Sequence, residues 1–258
     1  MEQKNTNMDY NIRKLYTLFL KKDCGEHSPF PITEYLVKFL KETNADGMFV
    51  MPGHLSLTSQ KSGDKYTYQE LLDIFLAIPH LDFVGFGNAY YSTNAKAQKD
   101  KEKDEVKNSI KEFETYLKEK NVLKLKRNYK SDHSKMIFVF KYRDECKWDY
   151  TEEVTVNNYM EFIELVEVIG VLTGSSNFSK SAYGKIDEDK SFIAYNGESD
   201  ILMFYDENYK RQIIKESMES QNWESSGLIL SENITSVKND FFEDMLKRVL
   251  KNILVDEK

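Results

Sequence analysis

Cysteine is scarce in this chain. Cys24 and Cys146 are its only two cysteines, and neither lies in a CxxC or Cys/His pattern. We therefore expect reduced thiols in a cytoplasmic protein rather than a disulfide-stapled secreted domain or a zinc site. The sequence also lacks any stretch of about 18 consecutive apolar residues, so it predicts no transmembrane helix. Residues 1–9 are polar and lack the apolar segment of a secretory signal peptide, which again indicates the cytoplasm.

Linkers and repeats are missing as well. The chain has 4 prolines and 11 glycines in 258 residues, and no segment rich in either residue divides it. Hydrophobic residues make up 40% and charged residues 31%, a composition that excludes a long disordered chain. We predict one domain over residues 1–220, followed by a C-terminal helical extension over residues 221–258.

The chain also lacks a strong positive charge. The net charge is −7, whereas proteins that bind nucleic acid strongly and without sequence preference are usually basic. The overall field of this protein does not attract a nucleic acid, so any such binding requires a local basic patch.

The periodicity of the apolar residues divides the chain into helices and strands. Spacings of three and four predict helices over residues 10–20, 33–40, 68–78, 95–119, 159–166, 207–216 and 240–253. Short apolar runs predict strands over residues 47–51, 81–86, 122–126, 136–140, 169–172, 192–194 and 202–204, with a loop over residues 87–94. Asn158 and Glu161 have the spacing of a helix capping box. This alternation predicts an α/β sandwich with a mixed central sheet flanked by helices.

Two short segments carry residues suited to phosphate chemistry. His133 and Lys135 precede an apolar strand and, two residues apart, project from the same face of it. The neighbouring ammonium group favours a neutral, nucleophilic imidazole and attracts an anionic phosphate. Downstream, Ser175 and Asn177 repeat the same spacing and offer hydroxyl and amide donors, while Gly174 permits close approach of the backbone.

Together these segments resemble a known family. His133-x-Lys135 followed by Gly174-Ser175-x-Asn177 resembles the HKD motif of the phospholipase D superfamily. The run Thr-Gly-Ser-Ser-Asn-Phe-Ser is especially similar to that of the small bacterial nucleases and restriction endonucleases of the superfamily. The direct resemblance covers residues 133–189, and it implies a phospholipase D-like α/β sandwich with one HKD half-site per chain.

The resemblance also implies a role for each of these residues. It makes His133 the nucleophile or the acid, with Lys135, Ser175 and Asn177 as ligands of the phosphate oxygens. The carboxylate that orients the histidine would come from residues 187–189, with Glu188 as first choice. No metal and no cofactor are implied, since lysines and polar donors supply the electrostatic stabilisation.

The chain departs from the family pattern in two places. The family usually has an Asp five residues after the Lys, where this chain has Phe140. Residues 142–167 make the gap between the two motif segments long, and we interpret them as an insertion between paired strands. Such an insertion is expected either to shape substrate access or to contact a partner.

The chain contains one HxK pair, and this has a consequence for assembly. The remaining histidines, His27, His54 and His80, are not followed by Lys at the required spacing, and His54 is expected to lie in a loop. The family mechanism needs two histidines at one phosphate. We therefore expect a homodimer whose twofold axis brings the two copies of His133 together.

A local basic segment precedes the HxK pair. Lys124, Lys126, Arg127 and Lys130 predict a track that binds the nucleic-acid backbone next to His133. The alternative is a solvated edge strand protected by lysines.

These observations predict a metal-independent phosphodiesterase, specifically a DNA endonuclease with a phosphohistidine intermediate, acting in restriction or antiphage (antiviral) defence. One alternative is a non-catalytic or partner-activated subunit of a larger defence complex that contains an ATPase or helicase. A lipid phosphodiesterase is the other, although the sequence offers no amphipathic basic face for a membrane surface.

Overall fold

The structure is a computed structural model that describes residues 12–22, 32–56, 67–87, 90–92, 111–124, 135–149, 152–175, 198–219, 228–238 and 240–254. The strands are β1 (Ile12–Lys22), β2 (Gly47–Pro52), β3 (His54–Ser56), β4 (Phe83–Phe86), β5 (Tyr90–Ser92), β6 (Leu123–Lys124), β7 (Lys135–Tyr142), β8 (Val166–Gly174), β9 (Glu198–Phe204) and β10 (Leu228–Lys238). The helices are α1 (Ile32–Glu42), α2 (Thr67–Leu76), α3 (111–119), α4 (Tyr159–Leu165), α5 (Glu207–Glu219) and α6 (Phe241–Ile253).

A mixed sheet forms the centre of the fold. Eight strands are ordered β10-β1-β9-β8-β7-β2-β4-β6, and β3 pairs with β5 in a separate two-stranded sheet. Strands β2, β4 and β6 are parallel, whereas β7, β8, β9, β1 and β10 pair antiparallel with their neighbours. The prediction of an α/β fold with a mixed sheet flanked by helices is therefore confirmed.

The two faces of the sheet bury separate cores. Successive side chains of a strand point to opposite faces, and in β2 Met48 and Val50 enter one core while Phe49 and Met51 enter the other. The first core takes its helical residues from α1, α2, α3 and α5, and the second takes them from α4 and α6. Gly170 of β8 lies under α1, where a Cβ atom would stand 2.5 Å from the ring of Phe39.

Most of the predicted elements are confirmed, with small shifts of their ends. Helices α1, α2, α4, α5 and α6 and strands β2, β4, β7, β8 and β9 lie where the periodicity predicts them. Of the helix predicted over residues 95–119 the structure describes residues 111–119, which are helical. The strand predicted over residues 192–194 lies outside the described residues.

The predicted first helix, over residues 10–20, is wrong. Residues Ile12–Lys22 form strand β1, which lies between β9 and β10. The apolar residues of this segment fit both periods, but burial follows the strand period, because Tyr16, Leu18 and Leu20 are buried while Phe19 is 38% exposed. Pairing along both edges of the strand outweighs the helical pattern.

The predicted capping box is also wrong, although α4 begins where it was expected. Asn158 precedes α4 without making a side-chain cap hydrogen bond. Its Oδ1 instead accepts from the backbone N of Thr155 at 2.7 Å, and its Nδ2 donates to the carbonyl oxygen of Glu153 at 3.0 Å. The side chain thus stabilises the turn before the helix.

Besides β1, three strands are present that the sequence does not predict, namely β3, β5 and β10. Residues Tyr90–Ser92, expected in a loop, form β5 beside β3. Residues Leu228–Lys238 form β10, which pairs with β1, so the segment 221–258 contains a strand in addition to the expected helix. The domain boundary at residue 220 stays a prediction.

Candidate active site

Several strand ends meet at one edge of the sheet. Strands β2 and β8 end there, at Pro52 and Gly174, while β7 begins there at Lys135. The register pairs Pro52 with Lys135, and it pairs Gly174 with Asp200 of β9. This edge, which we call the polar edge, is defined by Lys135, Gly174, Ser175 and Asp200.

The two motif segments are neighbours at the polar edge. Strands β7 and β8 pair with Met136 opposite Thr173, and continuing this register by one residue sets Lys135 opposite Gly174. Lys135 is half-buried, and Ser175, which directly follows β8, is exposed. The structure therefore brings Lys135 next to Gly174 and Ser175, two residues that are distant from it in sequence.

The other predicted catalytic residues, His133, Asn177 and Glu188, lie outside the described residues. The same holds for Lys126, Arg127 and Lys130 of the predicted basic track. Their roles stay predictions.

Lys124 is the described member of the predicted basic track. It ends β6 and pairs with Phe86 of β4. Strands β2 and β4 separate β6 from β7, so its backbone lies three strand spacings, about 15 Å, from β7. Because β6 runs parallel to β2, Lys124 ends its strand at the same end of the sheet as Pro52 and Lys135.

Sequence reasoning missed a buried acid at the polar edge. Asp200 is 3% exposed, and it stands opposite Gly174 on one side and Leu20 of β1 on the other. The sequence does contain a signal for this acid. Glu198 and Asp200 are two residues apart, as His133 and Lys135 are, and they come just before the apolar residues of β9. The resemblance instead implies an orienting carboxylate at Glu188, closer to the motif in sequence.

The chain turns sharply where it leaves β2. Gly53 has a φ of 65°, a backbone conformation that residues other than glycine rarely adopt. His54 follows as the first residue of β3 and pairs with Tyr90, so it belongs to a short strand and not, as expected, to a loop. The segments that follow β2 and β4 thus continue side by side beyond the sheet.

Phe140 occupies the position at which the resemblance to the phospholipase D superfamily would place an Asp. Its side chain is fully buried, and its ring centroid lies 5.4 Å from that of Phe83 and 5.5 Å from that of Phe162. The ring also covers Gly47, where a Cβ atom would stand 2.3 Å from it. An aspartate here would be buried among aromatic rings, so this position serves packing.

Residues 142–167 leave the sheet away from the candidate site. They begin at Tyr142, seven residues from Lys135 and about 23 Å along β7. Trp148 and Phe162 of this segment are buried in the second core, with ring centroids 5.6 Å apart. Packing against the sheet therefore accounts for the insertion better than control of substrate access does.

The clearest electrostatic perturbations lie on the face beneath α6. Glu243 is buried, and its Oε1 accepts hydrogen bonds from Arg143 at 3.0 Å and from the backbone N of Val168 at 3.1 Å. Burial raises the pKa of this carboxyl in spite of the arginine. Burial also raises the pKa of the nearby Tyr205 hydroxyl. Neither residue belongs to the polar edge.

The described residues show neither a metal cluster nor a membrane span. Nowhere among them do three or more His, Cys, Asp or Glu side chains gather as metal ligands would. None of the helices in this part of the chain combines the length and apolar composition that crossing a bilayer requires.

No model of a known protein family matches the chain, and no curated protein matches it significantly.

Proposed function

We propose that this protein is a metal-independent phosphodiesterase with a phospholipase D-like fold, and that its substrate is DNA. It acts as an endonuclease in restriction or antiphage defence, in the cytoplasm. The observation that supports the proposal is the position of Lys135 beside Gly174 and Ser175 at the polar edge. Two segments with phosphate-binding residue types, separated by 38 residues in sequence, are adjacent strand ends in the fold.

The first chemical step uses His133 as the nucleophile. A nitrogen of its neutral imidazole attacks phosphorus, an N–P bond forms, and the P–O bond to the leaving oxygen breaks. A second histidine, in its protonated form, gives its proton to that oxygen. Lys135, Ser175 and Asn177 donate hydrogen bonds to the nonbridging oxygens, whose negative charge increases in the transition state.

The second step releases the enzyme. The second histidine, now neutral, removes a proton from water while the water oxygen attacks phosphorus. The N–P bond breaks, and its electron pair returns to the imidazole of His133. Glu188, or another acid of residues 187–189, orients the nucleophilic ring in this scheme. The residues of the basic track, Lys124, Lys126, Arg127 and Lys130, hold the DNA backbone.

A homodimer completes the site. One chain supplies one HxK pair, so the second histidine is His133 of a second copy across a twofold axis. Light scattering after size exclusion should then give twice the monomer mass of 30.3 kDa.

Plasmid cleavage tests the proposed activity. We expect the wild-type protein to nick supercoiled plasmid in EDTA, and we expect His133→Ala to abolish nicking. His80→Ala provides the matched control, because His80 is exposed and distant in sequence from the motif. Nicking by His133→Ala at the wild-type rate would exclude the mechanism, and cleavage of phospholipid vesicles in preference to plasmid would exclude the DNA assignment.

Mixed dimers test whether two histidines share one site. Wild-type protein is unfolded and refolded together with increasing amounts of His133→Ala, so that subunits combine at random. A shared site needs both histidines, so the activity per milligram of total protein should fall with the square of the wild-type fraction. A linear fall would mean that each chain contains a complete site of its own.

A second candidate function is a non-catalytic or partner-activated subunit of a defence complex, bound to an ATPase or helicase. The net charge of −7 and the buried Phe140 in place of the family Asp favour it. This reading predicts that the purified protein binds plasmid weakly and does not nick it. Nicking that appears only on addition of the partner would support partner activation.

A further inference from the structure

Asp200 is a buried carboxylate for which the proposed mechanism has no use. Only 3% of its surface is exposed, and it lies near the start of β9. Burying an isolated carboxylate costs several kcal/mol, so such a group is retained in a fold when a cation or several hydrogen-bond donors face it.

The register of the sheet sets Lys135 and Asp200 in one row. Both lie opposite Gly174, on its two sides, so their side chains project from the same face of the sheet. Two antiparallel spacings separate their Cα atoms by about 10 Å. Gly174 contributes no side chain between them, and this distance is within the combined reach of a lysine and an aspartate side chain.

The other members of this row supply no competing charge. Pro52 lies beyond Lys135, and Leu20 lies beyond Asp200. Lys135 is therefore the cationic residue of the row, and Asp200 is its anionic residue. A larger residue in place of Gly174 would stand between the two charges.

We propose that Asp200 is a positioning residue that holds the ammonium group of Lys135 toward the bound phosphate. This assignment rests on the proposed phosphodiesterase function. An ammonium group has three N–H donors, so one hydrogen bond to Asp200 leaves two for the nonbridging oxygens. The carboxylate limits the rotation of a long side chain and so prepares the site before substrate arrives.

The position also explains why the carboxylate is buried while the lysine is half-buried. Asp200 is the third residue of β9 and is paired with neighbours on both sides, whereas Lys135 is the first residue of β7. The negative charge is shielded from solvent and acts on its neighbour, and the positive charge remains accessible to a phosphate.

The test compares Asp200→Asn, which keeps the shape and removes the charge, with Asp200→Glu, which keeps the charge. The substrate is bis(p-nitrophenyl) phosphate in EDTA, a small phosphodiester that needs no DNA contacts, with plasmid as the second substrate. Glu243→Gln is the matched control, since it changes the other buried carboxylate into an amide. Thermal melting of each variant monitors folding.

We expect Asp200→Asn to lower kcat by about 10- to 100-fold with a smaller change in KM, as for the loss of other groups that orient a reacting ligand. Asp200→Glu should recover part of this loss, and Glu243→Gln should retain the wild-type kcat. In a Lys135→Gln background, Asp200→Asn should lower kcat no further, since the residue through which Asp200 acts is gone.

Three results would overturn the assignment. One is a wild-type kcat in Asp200→Asn. Another is an undiminished further loss in the Lys135→Gln background, which would mean that Asp200 acts independently of Lys135. The third is a fall in melting temperature that accounts for the lost activity in both Asp200 variants. A wild-type protein inactive on both substrates would instead overturn the phosphodiesterase function, and this proposal with it.

Discussion

The described part of the chain contains two buried carboxylates, and they lie in different surroundings. Glu243 belongs to α6, which packs on a face of the sheet, and its Oε1 atom accepts hydrogen bonds from Arg143 and from the backbone N of Val168. Asp200 stands at the polar edge, beside a glycine and in a row with Lys135. Glu243 therefore lies in a helix that covers the sheet, whereas Asp200 lies in a strand and is paired with the last residue of β8.

The surroundings indicate what each carboxylate does. Val168 lies where the register of β7 and β8 shifts, and its N–H group donates to Oε1 of Glu243. Glu243 therefore joins α6 to an irregular point of the sheet, which is a structural role. The polar edge instead gathers residue types that can bind a phosphate. Substitutions on the face covered by α6 should thus change the stability of the fold, and substitutions at the polar edge should change the rate of phosphodiester cleavage.

The largest expected effect is a loss of stability in the second core, on the face of the sheet that α4 and α6 cover. Phe162→Ala removes a buried ring whose centroid lies 5.4 Å from that of Phe83 and 5.5 Å from that of Phe140. We expect the free energy of unfolding to fall by about 3–5 kcal/mol, measured by urea denaturation. Glu161→Ala, at the exposed neighbouring position, is the control. A loss below about 1 kcal/mol would mean that residues 142–167 are not part of the packed core.

The next effect is at the polar edge. Lys135→Gln should lower kcat for phosphodiester cleavage by about 10²- to 10³-fold, as loss of a donor to a developing oxyanion does. Lys141→Gln is the matched control, because Lys141 is also half-buried and lies on the same strand, about 20 Å away. Equal activity of the two variants would mean that the position of Lys135 at the polar edge has no special importance for cleavage.

Glu243→Ala should have an intermediate effect on stability. It leaves the N–H group of Val168 without its acceptor, which costs about 1–3 kcal/mol of the free energy of unfolding. Asp244→Ala, at the exposed next position of α6, should change stability by less than about 0.5 kcal/mol. Activity per folded molecule should not change in either variant. A fall in kcat for Glu243→Ala at full folding would connect the face to the chemistry.

The smallest effect is the pH dependence of stability. Burial raises the pKa of Glu243, so the folded protein binds this proton more tightly than the unfolded chain does. The contribution of this group to stability is therefore present at low pH and is lost as the pH rises above the ordinary glutamate pKa of about 4.3. Glu243→Gln does not titrate, so between pH 4 and pH 8 its stability should rise relative to the wild type. A constant difference between the two proteins would contradict this prediction.

Much of the fold follows from local patterns in the sequence. Strands β2 and β7 are continuous apolar runs, and α6 has a regular apolar face, so each is readable from its own residues. Strand β1 is not, because its apolar residues satisfy both the helical and the strand period. Only its pairing with β9 and β10, which are distant in sequence, makes it a strand.

The residues of the candidate site also differ in whether the sequence alone reveals them. Lys135 and Ser175 are recognisable from residue type and spacing, and the pairing of β7 with β8 brings their segments together. Asp200 is not recognisable in this way, since its position opposite Gly174 depends on the register between β8 and β9. A local pattern carries no information about such a register. Likewise, the Asn158 side chain does not cap α4, because it bonds to the turn at Thr155, and its spacing from Glu161 does not reveal this.

A covalent intermediate on His133 would test the central claim most directly. The wild-type protein is mixed with bis(p-nitrophenyl) phosphate in EDTA, stopped rapidly under alkaline denaturing conditions that preserve phosphohistidine, digested and analysed by mass spectrometry. We expect an adduct on the peptide that contains His133, a phosphoryl group that still carries one p-nitrophenyl ester, because the first step releases only one p-nitrophenol. This adduct should be absent from the His133→Ala protein and should form as fast as the first p-nitrophenol is released. Turnover without any adduct, or with an adduct on another residue, would contradict it.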